Sequence, residues 1–169
     1  MDTITAILTR RSVRQFSSQP VSEEDVEMLL RCAMQAPSAG NSQLWQFVIL
    51  TDRSILNKIR EFHPFAEALE TAPLAILVCG DVSFEKRPGR WMMDCSAASQ
   101  NILLAAHAQG LGAVWMSIHP DLERVEGVRQ LLNIPEEVHP ASLIAIGHPL
   151  EKPDPGNNYK PERIHRNKW

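Results

Sequence analysis

The stretch from Asp94 to Gly110, DCSAASQNILLAAHAQG, is rich in small residues and apolar nearly all the way round. As a helix it would lack the polar face that lets an ordinary surface helix sit half in water, so it has to be covered on every side. Gly110 suits the left-handed position that closes such a helix. The 169 residues suffice for one domain with a substantial core. Part of the cover for so apolar a helix is nevertheless expected from a second copy of the chain, in a homodimer.

Four further helices and four strands can be placed around it. DTITAILTR (2–10) puts Ile4, Ile7 and Leu8 on one helical face, with Asp2 as its cap. In SSQPVSEEDVEMLLRCAMQAP (17–37), Ser22 caps, three acids fill the first turn and Pro37 ends the helix. Its expected buried stripe is Val26, Leu29, Leu30, Ala33 and Met34. Asp52 can cap a short helix, RSILNKIREF (53–62). DLERVEGVRQLLNIP (121–135) turns Leu122, Val125, Val128, Leu131 and Leu132 inward. LWQFVILT (44–51), LGAVWMSI (111–118) and ASLIAIGHP (141–149) read as strands, and the continuous apolar run PLAILVCGD (73–81) as a strand buried on both faces. The tail from 151 to 169 holds too many Pro, Gly and Asn residues for regular structure. With no repeat or linker, one α+β domain is the simplest account.

Against this background TRRSVRQF (9–16) stands out, with Arg10, Arg11 and Arg14 packed into five positions. The net charge of −3 speaks against a nucleic-acid-binding surface, which would be broadly basic, so the cluster reads as a local anion site. A twin-arginine export signal needs an apolar stretch next, and here the polar, acidic RQFSSQPVSEEDVEM follows. No apolar run approaches the roughly 20 residues that span a bilayer. Cys32, Cys79 and Cys95 lie far apart in apolar or small-residue settings, as buried free thiols do, and a reducing cytoplasm fits them. Histidine spacing gives no support for a metal site.

GLGAVW lacks the third glycine of a dinucleotide fingerprint and precedes a strand instead of following one. P-loop and GxSxG signatures are absent, so redox chemistry would need a cofactor held by other means. Three polar islands interrupt the apolar elements: RRSVR (10–14), APSAGNSQLW (36–45) and YKPERIHRNKW (159–169). Guanidinium forks, hydroxyls and carboxamides in that combination can grip a phosphate, a polyol chain and the edge of a heteroaromatic ring.

RRSVRQF, APSAGNSQLWQF, DCSAASQNILLAAHAQGLGAVW, LLNIPEEVHPASLIAIGHP and ERIHRNKW occur in that order over nearly the whole chain. Together they resemble the nitroreductase family of flavin mononucleotide (FMN) enzymes. The resemblance implies an α+β fold with a mostly antiparallel central sheet flanked by helices, residues 1–169 forming a single FMN-binding domain. It also implies an intertwined homodimer with two FMN sites at the subunit interface. Carried over by position, Arg10 and Arg14, with Arg11 and Ser12 beside them, supply phosphate and ring contacts. Pro37, Ser38, Ala39, Asn41 and Gln43 form the loop that reaches FMN from the partner. Leu44 stands where relatives usually have a proline. Met116 and Ser117 bring backbone to the hydride-accepting nitrogen, and Trp115 beside them is as readily a core residue. Arg163, with Lys160, provides late phosphate contacts.

The implied activity is transfer of a hydride from NADH or NADPH to FMN, then of electrons to a small flat acceptor such as a nitroaromatic or quinone, in a ping-pong cycle. No side chain stands out as an acid–base catalyst. Phe65, Phe84 and Trp91, in segments at the mouth of the site, are candidates to stack on acceptors. The alternative is a flavin-binding member specialised for one dehydrogenation or dehalogenation substrate, or one with little reductase activity.

Overall fold

Burial on both faces requires apolar side chains at every position of a strand, and two segments meet that demand. The computed structural model, which describes residues 1–151 and 153–169 and leaves Lys152 outside the described residues, pairs them at the centre of the sheet. Trp45–Leu50 (β1), Leu74–Asp81 (β2), Gly112–Ser117 (β3) and Val138–Gly147 (β4) form one antiparallel sheet in the order β1-β2-β4-β3. Alternation sends Ala75, Leu77 and Cys79 of β2 into one core and Leu74, Ile76 and Val78 into the other. The register slips between Val78 and Cys79 opposite β4, a bulge in the central pair.

Helices cover both faces. Thr3–Thr9 (α1), Glu23–Ala33 (α2) and Trp91–Ala108 (α4) lie on one side, with α2 and α1 each packed on α4. Arg53–Phe62 (α3) and Leu122–Leu132 (α5) pack together on the other. Side chains of Asp2, Ser22, Asp52 and Asp121 cap α1, α2, α3 and α5. The architecture is the expected α+β sheet flanked by helices.

Several expectations change. Ile4, Ile7 and Leu8 are 64%, 50% and 64% exposed, because α1 rests on α4 through Ala6 and turns its apolar stripe outward. Met34 caps the C-terminal end of α2 and is half exposed, while Leu30 is only partly buried. Leu122 opens α5 and is 83% exposed, since that helix packs through Val128. Cys79 and Cys95 are buried thiols, and burial pushes Cys79 up to about 12 and raises Cys95 further. Cys32 is only half-buried. Among the described residues the tail makes one short helical turn, Pro161–Arg163, and residues 153–169 are exposed throughout.

The long helix α4 starts at Trp91, three residues before Asp94. The Glu85 carboxylate accepts the backbone N–H groups of Arg90 (2.6 Å) and Trp91 (2.8 Å), satisfying the first amides of the helix. Cys95, Ala98, Ser99, Ile102, Leu103 and Ala106 are buried against the sheet and α2. Ser99 satisfies its hydroxyl with Ser142 of β4 at 2.7 Å. The opposite flank is uncovered: Met93 is 57% exposed, and Leu104 and Ala105 line an open groove with Ala6 and Cys32.

Candidate functional site

The arginine segment reaches its place by extending the sheet. The Val13 N–H donates to Ala113 O at 3.0 Å, and Ser12 forms a parallel bridge with Ala113. That close approach depends on Gly112, where a Cβ would lie 2.7 Å from the Val13 side chain. Residues 12–14 therefore run beside the edge strand β3. Arg14, Phe65, Met116 and Ser117 line one cavity of about 500 Å³, with Trp115 also in its wall.

The three arginines are used differently. Arg11 is committed to main-chain oxygens: Nη1 donates to Arg10 O (2.7 Å), Nη2 to Gly156 O (2.6 Å) and Nε to Asp154 O (3.2 Å). It ties the start of the tail to the arginine segment. The Arg10 guanidinium has no hydrogen bond or ion pair among the described residues. Arg14 stands 4.0 Å from Glu67, both side chains well exposed, a contact that costs little to break.

The cavity wall also holds His63 and Glu67, in the segment expected at the mouth of the site but given no role of their own, and Arg124, which sequence reasoning missed. The buried His63 ring has Nε2 3.1 Å from Ser117 O, and its Nδ1 is buried with no partner. Burial first, and then the Arg124 charge, holds its pKa below the usual 6.5. A neutral ring with the proton on Nε2 donates to the carbonyl. Arg124 donates to the same oxygen from Nη1 at 3.1 Å, pairs with Asp121 at 3.4 Å and lies over the Phe65 ring, 5.3 Å from its centroid. These two donors fix the end of β3. The break FHPF between two apolar elements is the available signal for His63; nothing in an amphipathic helix singles out Arg124.

Residues 37–43 form the second group. Gly40, Asn41 and Gln43 are left-handed, at φ 63°, 53° and 49°. The loop is pinned from several sides. Both carboxylate oxygens of Asp94 accept the Ala39 N–H (3.0 and 3.1 Å), and Ser42 Oγ donates to Asp94 at 3.3 Å. Ser38 Oγ accepts the Gln43 N–H at 3.0 Å, and Lys86 Nζ donates to Asn41 O at 3.1 Å. The loop leads into β1, the edge opposite β3, and sits at the start of α4, whereas Thr9 before the arginine cluster bonds His107 in the last turn of that helix.

None of Pro37, Ser38, Ala39, Asn41 and Gln43 lines the 500 Å³ cavity. Phe84 and Trp91 lie outside it too: Phe84 is 57% exposed beyond β2, and Trp91 packs against His119 and His139 with centroids 5.0 and 5.3 Å apart. Lys160 and Arg163 are exposed in the tail. Within one chain the arginine segment, with Met116 and Ser117, and the loop 37–43 thus lie at opposite edges of the sheet. Three strand spacings, roughly 14 Å, separate those edges.

Among the described residues no helix is long and apolar enough to cross a membrane. The sequence profile of the Nitroreductase family matches residues 7–63 and 63–148. A protein of Methanothermobacter thermautotrophicus, provisionally named NADH dehydrogenase/NAD(P)H nitroreductase, is 49% identical over 169 residues, covering 100% of this chain and 88% of its own length. The crystal structure of a protein of the same provisional name from Parabacteroides distasonis matches with a TM-score of 0.95 at 43% identity, over 99% of this chain and 98% of that one. A provisionally named nitroreductase from Desulfovibrio desulfuricans, solved in complex with FMN, matches with a TM-score of 0.86 at 28% identity, over 100% of this chain and 98% of that one.

Proposed function

The chain belongs to the nitroreductase family, and from that premise we propose that it is an FMN-dependent oxidoreductase. Its electrons come from NADH or NADPH and go to nitroaromatics, quinones or similar flat electrophiles. The observation that carries the reading is the cavity on which Arg14, Phe65, Met116 and Ser117 converge; Arg10 and Ser12 lie outside its lining, in the same segment as Arg14. The exposed Phe65 ring at the cavity suits stacking on a flat acceptor, and a phosphate suits the free Arg10 fork.

FMN, when bound, supplies hydride acceptance and onward electron transfer in a ping-pong cycle. The chain's own part is to bind, orient and exclude water. Arg10 and Ser12 hold the phosphate side, and Arg14 keeps positive charge at the pyrimidine edge of the ring. Arg163, with Lys160, joins the phosphate from the tail. The backbone at Met116 and Ser117, stiffened through His63 and Arg124, sets the ring's position along β3.

The site is completed by a second copy. Residues 37–43, with Phe84 and Trp91 near them, reach the partner's ring from the far end of α4, and the two copies pack through the open flank of that helix. Support comes from the exposed Ile4, Ile7, Leu8 and Met93, the groove along Leu104 and Ala105, and the uncovered tail. The whole of 1–169 acts as one FMN-binding domain, working on small molecules in the cytoplasm.

The test is optical. Purified protein should be yellow, with a flavin absorption band that NADH or NADPH bleaches without air and that a nitroaromatic or quinone restores. If neither nucleotide reduces the bound flavin, the reductase reading is wrong.

A further inference from the structure

Asp94 has no duty as a helix cap, because Glu85 already takes the first amides of α4. It is nevertheless 5% exposed, and a buried carboxylate is retained only where donors compensate its lost hydration. Those donors all come from one place: the Ala39 amide, shared between both oxygens, and the Ser42 hydroxyl. The first turn of α4 adds the favourable end of the helix dipole. On its other side the residue is fixed by Trp45, whose Nε1 donates to Asp94 O at 3.1 Å.

The loop so held is one that needs holding. Asn41 and Gln43 occupy left-handed backbone on either side of Ser42, conformations that persist only where surrounding contacts over-determine them. Because the pinning uses main-chain amides and Ser42, the side chains of Asn41 and Gln43 have no hydrogen bonds among the described residues and stay free for a ligand. We infer that Asp94 is a positioning residue: its buried carboxylate, seated on α4, locks residues 38–43 in the shape that presents Asn41 and Gln43 to FMN. The inference rests on the proposed reading that this loop meets FMN.

Asp94→Ala and Asp94→Asn are to be compared by amide hydrogen exchange at residues 38–43 and by FMN titration of the flavin-free protein. In Asp94→Ala the Ala39 amide should exchange faster and FMN bind about tenfold more weakly, as expected for losing the acceptor of a buried hydrogen bond. Asp94→Asn keeps one acceptor oxygen and should restore much of both effects. Should Asp94→Ala not fold, Ser42→Ala removes one of the same bonds and should shift both readouts in the same direction, more weakly. Unchanged Ala39 exchange, or faster exchange with unchanged FMN affinity, overturns the positioning role. Asn41→Ala separates the readings: if it too leaves FMN affinity intact, the loop does not meet FMN and the shared-site reading falls with the inference. If Asn41→Ala weakens FMN and Asp94→Ala does not, only the role of Asp94 falls.

Discussion

Residues 10–14 are held by backbone, as an extra edge on β3, and residues 37–43 are held by side chains gathered on a buried carboxylate. The first arrangement is a main-chain bridge to the edge strand, packed close through Gly112 and Val13. The second is local, and its left-handed backbone is held only as long as those side-chain contacts are intact. If both groups serve one cofactor, one is placed by main-chain pairing and the other by a single buried carboxylate, so the second can be released by one substitution.

The largest effect should come from breaking the main-chain bridge at its narrowest point. In Gly112→Val the new side chain would have to occupy space within 2.7 Å of Val13, so the arginine segment must move. We expect a loss of about 1–3 kcal/mol in stability, the usual range for an overpacked core, together with loss of FMN on gel filtration. Next come the arginines. Arg10→Ala should weaken FMN by roughly 100-fold in titration while the protein stays folded, as removal of a charged hydrogen-bond donor does. Arg11→Ala should act chiefly on the tail, seen as faster proteolysis after residue 153, because its donors go to Asp154 and Gly156.

The loop half should respond more gently. Gly40→Ala places a Cβ on left-handed backbone 3.3 Å from Lys86, at a cost of about 1 kcal/mol. FMN affinity should fall several-fold with little change in the unfolding temperature. The smallest effect is on pH dependence. Burial, helped by Arg124, lowers the His63 pKa, and burial, helped by Arg10 and Arg11, lowers that of His107. The unfolded chain then binds protons at higher pH than the native one. Their stabilising contribution is complete above about pH 6.5 and is lost as pH falls towards the depressed values. Unfolding temperatures of the flavin-free protein should drop over that window, and less steeply in His63→Gln.

The sheet and helices were legible because burial writes itself into the chain: PLAILVCGD reads as a strand covered on both faces, and the small, apolar run of α4 as a helix that needs cover beyond what a surface helix has. What covers it was less legible. Ile4, Ile7 and Leu8 have the spacing of a buried stripe, and periodicity does not say whether the cover comes from the same chain; here it does not. The helix read from Asp94 starts three residues earlier, because the carboxylate that takes its first amides lies in the preceding loop at Glu85, a partner the sequence does not show. The arginine cluster announced an anion site, yet the assignment of Arg11 to tail carbonyls depends on a contact 145 residues away in sequence. Arg124 reached the cavity wall by the same kind of distant packing, from a helix whose charged residues otherwise look solvent-facing.

The central claim is that two incomplete groups, one from each chain, make one FMN site. A mixed dimer tests it directly. One subunit carries Arg10→Ala and the other carries Ser38→Ala with Asn41→Ala, distinguished by separate affinity tags. Each variant alone should bind little FMN. In the mixed dimer one site gathers all three substitutions and the other none, so bound flavin should return to one FMN per dimer at near-native affinity. If each site were built within a single chain, both sites of the mixed dimer would be damaged, and the mixture would bind no better than its parents.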